Sequence, residues 1–294
     1  VSAAYRASTI KRERRTQDRI AQLDRQIADV LALDHPQSVR HVFYRMTDPR
    51  LPEPVEKSER GYRHVQDRLK KLRRAGVIPY GWITDATRRG YFTSTFADRF
   101  DFVRRIAGLY RADLWSSTRR YCEVWVESRS IAGVLEDDCR ELAVPLYPAG
   151  GFSSITLAWE AAEQINAEHD DRALVILYIG DYDPAGVLID VAIEDELRRH
   201  LDHSVEMDFV RLGITPEQIA LYDLPTKPRK TTDRRALHVA ETVEAEAMPA
   251  ATLRLLLRGA IEAMLPTYAL TAARAAEDSE RRFLLQWANG GATP

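Results

Sequence analysis

The 294-residue chain is 45% hydrophobic and 29% charged with a formal charge of −2, a composition that buries a sizeable core and excludes disordered and collagenous classes. No apolar run approaches a membrane span, the N-terminus is basic and polar rather than signal-like, and the two cysteines, Cys122 and Cys139, form neither a disulfide framework nor a metal-ligand spacing. A cytoplasmic protein with no membrane contact is expected, nucleoid-associated in a prokaryote.

The near-neutral total hides a division. Residues 1–120 hold 26 Lys/Arg against 14 Asp/Glu, and the remainder holds 16 against 30. A basic half predicts a polyanion partner, DNA first, because phosphates supply most of the affinity for such a surface. Association of the two halves with each other is the other reading.

Residues 5–33 predict one long helix with a narrow apolar stripe (Ile10, Ile20, Leu23, Ile27, Val30, Leu31). "KRERR" at 11–15 reads as a DNA-touching arm or a solvated face. Ser38 caps a short helix carrying Val39, Val42, Phe43 and Met46, and proline-rich "DPRLPEP" (48–54) is a loop. Ser58 starts a helix with Tyr62, Val65, Leu69 and Leu72 on one face and Arg63, Arg68, Lys70, Lys71, Arg73 and Arg74 on the others. Gly76 ends it, and "VIPYGWI" (77–83) predicts a short β element. Helix, basic helix and β wing together predict a winged-helix DNA-binding domain over 34–118, after an N-terminal helix over 1–33. Residues 88–115 add one more helix and a connection.

From Tyr121 the pattern alternates. Strands are predicted at 121–127, 144–150, 173–181 and 205–212, separated by helices at 130–143, 153–168 and 185–201. Single helices between strands predict a Rossmann-like α/β domain over 119–250, with a mostly parallel four-stranded sheet. A C-terminal helical segment follows over 251–294.

Ligands of such sheets sit at the carboxyl ends of the strands. Glu127 closes the first strand, and Asp181 and Asp183 in "YIGDYDPAG" (178–186) follow the third. If those strands are neighbours, three carboxylates converge, and an all-oxygen anionic set suits Mg²⁺ or Mn²⁺. The plainer reading of Asp183 is an N-cap, with Pro184 at N1.

A glutamate ending the first strand and D-x-D-P-x-G after the third resembles the Toprim domain of topoisomerases, primases and related nucleases. The order of a helix-turn-helix half and then Toprim is similar to the A subunit of topoisomerase VI and its meiotic double-strand-break relative. "RHVFY" (40–44) stands where that family carries R-x-x-[YF]-Y, "LYPAGGFSS" (146–154) resembles its Gly-rich loop, and "LGITPEQIALYDLP" (212–225) and "VEAEAMP" (243–249) resemble its later stretch. His41 stands where the family usually has an acidic residue, and Ser128 where it commonly has lysine. The resemblance implies Mg²⁺- or Mn²⁺-dependent DNA cleavage with Glu127, Asp181 and Asp183 as metal ligands. It also implies Tyr44 as a nucleophile forming a tyrosyl–DNA link, steadied by Arg40, and a homodimer in which tyrosine and Toprim site come from different subunits.

From the residues alone, Tyr44 sits among apolar residues at helical spacing, where an aromatic is usually core. A Toprim protein without a working tyrosine would hydrolyse DNA instead, with Glu127 or a metal-bound hydroxide as base, as effector of a larger complex. A non-catalytic DNA-binding protein is the third reading. "LPTKPRKTTDRR" (224–235), with Lys227 and Lys230, reads as a DNA-contacting strip, a lid or an ordinary loop, and His200 and His203 as solvated residues lacking a third ligand. With no Walker motif in the chain, an energy-driven cycle needs an ATPase partner subunit.

Overall fold

A computed structural model describes residues 15–84, 93–150, 155–168, 172–229 and 232–290. The chain divides into two compact units, Val1–Ile83 and Thr84–Pro294.

The first unit is three helices: α1 (Gln17–Leu33), α2 (Val39–Met46) and α3 (Glu59–Arg74). Each starts at a hydroxyl N-cap (Thr16, Ser38 and Ser58) whose side chain accepts an amide of the first turn. Their inward stripes, including Leu23, Ile27 and Leu31 with Val42, Met46, Val65 and Leu69, form one core. The expected β wing over 77–83 is not formed. Tyr80–Trp82 is a single 3₁₀ turn, and the only strand-like feature there among the described residues is one isolated bridge, Gln37 to Ile83. Pro79 removes a ladder donor at that point, and His35 stacks on Trp82 at 4.4 Å to close the turn. Residues 1–14 of the expected first helix and 85–92 lie outside the described residues.

The second unit opens with α4 (Arg99–Ile106), shorter than expected, and becomes α/β at β1 (Arg120–Val126). Next come α5 (Arg129–Glu141), β2 (Leu146–Pro148), α6 (Ile155–Glu168), β3 (Ala173–Ile179), α7 (Gly186–His200) and β4 (Met207–Gly213). After α8 (Pro216–Leu221), strands β5 (Lys227–Pro228) and β6 (Glu241–Thr242) form a small antiparallel ribbon, followed by α9 (Ala250–Glu262) and α10 (Ala269–Ala288). The four main strands are parallel in the order β2-β1-β3-β4. The chain therefore steps one way from β1 to β2 and the other way from β3 to β4. With right-handed crossovers, that reversal puts α5 on one face and α6 and α7 on the opposite face. Trp125, Leu174, Ile176 and Tyr178 face α6 and α7, where Ala158, Ala161, Ala162, Ile165, Ile189 and Ile193 pack on them. Alternation sends Val175, Leu177 and Ile179 to the α5 side. Among the described residues no helix is long and apolar enough to cross a membrane. Both cysteines are free and buried, and burial pushes the Cys139 thiol up to about 12.

Candidate functional site: an acidic rim at the switch point

β1 and β3 are neighbours over their full lengths, and they are the two strands between which the winding direction reverses. An open parallel sheet leaves a crevice at the carboxyl ends there, because the flanking crossovers lie on opposite faces. Glu127 and the 181–183 turn flank that crevice. The Glu127 amide continues the ladder by donating to Ile179 O at 2.9 Å, and its Oε2 accepts the Asp181 amide at 2.9 Å. Asp181 Oδ1 accepts the Ala245 amide at 2.8 Å. Glu246, 5% exposed, comes in beside them and accepts the hydroxyls of Ser128, at 3.1 Å, and Ser130.

Electrostatics follow from this crowding. Withdrawal from water, then the charges of Glu127 and Glu246, push the Asp181 carboxyl up to about 8. Glu127 is raised by burial first and by Asp183 and Glu246 after it, against the lowering effect of the Asp181 amide and Arg211.

Arg211, on β4, holds the rim from below. It donates to the carbonyls of Ile214 (3.0 Å), Gly186 (3.2 Å), Gly180 (3.3 Å) and Asp181 (2.5 Å), and pairs with Asp190 at 2.6 Å. Gly186 is dictated by approach: a Cβ there would stand 2.2 Å from the Asp181 carbonyl oxygen. The Tyr178 hydroxyl, buried without a hydrogen-bond partner, sits where a Cβ on Gly180 would be 2.4 Å away.

Asp183 serves the backbone: its Oδ1 accepts the amides of Ala185 (2.8 Å) and Gly186 (2.6 Å) in the turn that leads into α7, whose N-cap position is Ala185 rather than the expected Asp183. With one oxygen each of Glu127, Asp181 and Asp183 committed to backbone amides, the expected three-carboxylate set is not closed. Among the described residues no three His, Cys, Asp or Glu side chains form a group able to hold a metal ion. The donor chemistry of Glu127 and Asp181, anionic oxygens that raise one another, fits a hard divalent cation; the three-ligand geometry does not.

Tyr44 lies in the first unit and the rim in the second. Tyr44 is 6% exposed, tilted against Phe43 at 5.4 Å with the Lys57 ammonium 5.4 Å over its ring, which is the environment of a core aromatic. Arg40 is exposed and lies over the Tyr62 ring at 5.6 Å. On α3, Lys70, Lys71 and Arg74 are exposed; Arg63 pairs with Glu59 at 3.2 Å, and Arg73 stacks on Tyr80 at 4.6 Å. Lys227 pairs with Glu244 at 3.1 Å, while Lys230 lies outside the described residues, as do residues 151–154 of the Gly-rich loop. Arg235, paired mainly with Asp233, also feels the charge of Asp183, so the basic loop stands within electrostatic reach of the rim.

No protein-family model matches this chain, and neither a curated protein nor a solved structure matches it at a significant level.

Sequence reasoning missed Arg211, Glu246 and the Ser128–Ser130 pair. "VEAEAMP" was visible as a motif, but its glutamate meets serines 118 and 116 residues away, a pairing no local pattern encodes. The one available signal for Arg211 was a lone basic residue near the end of a strand predicted to lie in the sheet.

Proposed function

We propose that the second unit is a Toprim-like phosphodiester-cleaving domain and that the chain hydrolyses DNA in a divalent-metal-dependent reaction. One observation carries the reading: carboxylates from the ends of two adjacent strands share the switch-point crevice, where burial first and then the charges of Glu127 and Glu246 push the Asp181 carboxyl up to about 8. A fold has no use for such repulsion, whereas a site that recruits a cation does. Mg²⁺ or Mn²⁺ held between Glu127 and Asp181, the pair whose donor chemistry suits it, would supply Lewis-acid stabilisation of the phosphate oxygens.

The chain's own groups then have defined work. Glu127, fixed through Oε2, presents Oε1 to take the proton of an attacking water. The water oxygen bonds to phosphorus, the P–O3′ bond breaks, and solvent protonates the leaving oxygen. Arg211 keeps the rim backbone in place, and the exposed cations of α3 carry the electrostatic attraction to DNA. Burial of Tyr44 favours hydrolysis over a tyrosyl link. The tyrosyl reading, in a homodimer with an ATPase partner, requires that side chain to leave its core.

Supercoiled plasmid with Mg²⁺ or Mn²⁺, quenched in detergent with and without protease, tests this. Nicking is expected from the native chain and from Tyr44→Phe, with Asp181→Asn slower by roughly 10²–10³-fold. Protein-linked DNA that disappears in Tyr44→Phe would replace hydrolysis by transesterification. DNA binding without cleavage under either metal would leave a binding protein.

A further inference from the structure

The first unit carries a cavity of about 620 Å³ between the start of α1, the 55–56 turn and the first turns of α3. Four arginines line it (Arg15, Arg19, Arg60 and Arg63), against two carboxylates, Glu56 and Asp67. Glu53 underneath fixes two of the four, accepting Arg15 Nε at 2.5 Å and Arg19 Nε at 2.8 Å. Arg15 also gives Nη2 to the Pro54 carbonyl at 3.0 Å, so both guanidiniums are held in place at the cavity wall. Arg63 is held by Glu59 at 3.2 Å. Arg60 is exposed and has no carboxylate partner among the described residues.

His64 gives the second, independent observation. It lines the same cavity, and its Nε2 is buried without a hydrogen-bond partner. A buried polar atom left unpaired is costly and marks a place where a partner is missing. Burial, then the charges of Arg15 and Arg68, hold this imidazole below its ordinary value against Asp67 and Asp24. The neutral imidazole is thereby favoured, and its Nε2–H tautomer is a donor that adds no charge. A neutral donor amid oriented guanidiniums suits a tetrahedral oxyanion.

We propose that this cavity is a phosphate-group site, with Arg60 as the charged contact and His64 Nε2–H the buried donor. It is separate from the acidic rim and stands whether or not the rim cleaves DNA. The phosphate has two sources, a nucleic-acid backbone or a free phosphate monoester.

The test is calorimetric titration of the full chain with inorganic phosphate, following the His64 ring signals by NMR. Saturable binding that shifts His64 is expected, weakened about tenfold by Arg60→Ser and again by His64→Gln. Arg60 is a surface residue, so its variant reads binding without a folding change, checked by an unaltered unfolding midpoint. Duplex DNA that competes with phosphate, and loses affinity in the same variants, identifies the backbone as the source; phosphate binding indifferent to duplex identifies a monoester. His64 signals unmoved by phosphate, or equal binding by native chain and Arg60→Ser, would overturn the site.

Discussion

Glu53 and Asp181 are both carboxylates withdrawn from water, one in each unit, and they are treated oppositely. Glu53, 5% exposed, meets two arginines, and the Arg19 hydrogen bond leads a set of contacts that hold it below the usual carboxylate range. Asp181 meets one backbone amide and two other acids, and burial first and their charges after it drive it up to about 8. The first arrangement satisfies itself and holds a helical unit together. The second leaves its acids raising one another, with no arginine against the Asp181 carboxylate among the described residues. Burial alone does not mark a functional carboxylate; the identity of its neighbours does.

Several substitutions can break or sharpen that contrast. The largest effect is expected from Gly186→Ala, which drives a methyl into the Asp181 carbonyl and should cost roughly 3 kcal/mol or more in thermal unfolding of the second unit. If the midpoint hardly moves, the rim is not held as described. Glu53→Gln comes next, at about 2–3 kcal/mol lost from the first unit, since it strips the charge that pairs Arg15 and Arg19. The sign is fixed by linkage: a carboxyl lowered on folding stabilises above its unfolded value and loses that contribution as pH falls through the folded one. The native-minus-variant difference should therefore shrink in acid, and a pH-independent difference would refute the ion pairing.

Asp181→Asn should do the reverse. A carboxyl raised on folding binds more protons in the native state, so stability falls as pH climbs from about 4 toward 8. The amide removes that slope and stabilises the second unit at pH 8 by about 1–3 kcal/mol. Mg²⁺ or Mn²⁺ should raise the native midpoint at pH 8 and leave the variant's unchanged. A variant no more stable than the native chain would end the claim that the rim is strained by like charge. The smallest effects belong to α3: Lys71→Ala or Arg74→Ala should leave stability unaltered and reduce the salt slope of DNA binding by about one unit each. Unchanged slopes would move DNA off that helix.

What the sequence made legible follows the reach of each interaction. The Ser38 and Ser58 caps, the basic face of α3 and the alternation of strands and helices are written within a few neighbouring residues, and the structure has them. The adjacency of β1 and β3 was conditional in the sequence and is present. The wing failed because an apolar run interrupted by Pro79 and Gly81 forms a turn as readily as a strand. The rim's remaining chemistry was hidden by distance. Ala245 meets Asp181 across 64 residues, and Arg211 gathers carbonyls up to 31 residues away.

Arg211 has a consequence for motion. One guanidinium ties together the end of β3, the first turn of α7 and the segment after β4. Those three segments cannot open singly without leaving its donors unpaired in a half-buried position. Their amides should therefore exchange with solvent hydrogen as one cooperative group, at a shared opening free energy. In Arg211→Leu that group should separate into segments that fray independently, starting with the turn that carries Asp181 and Asp183.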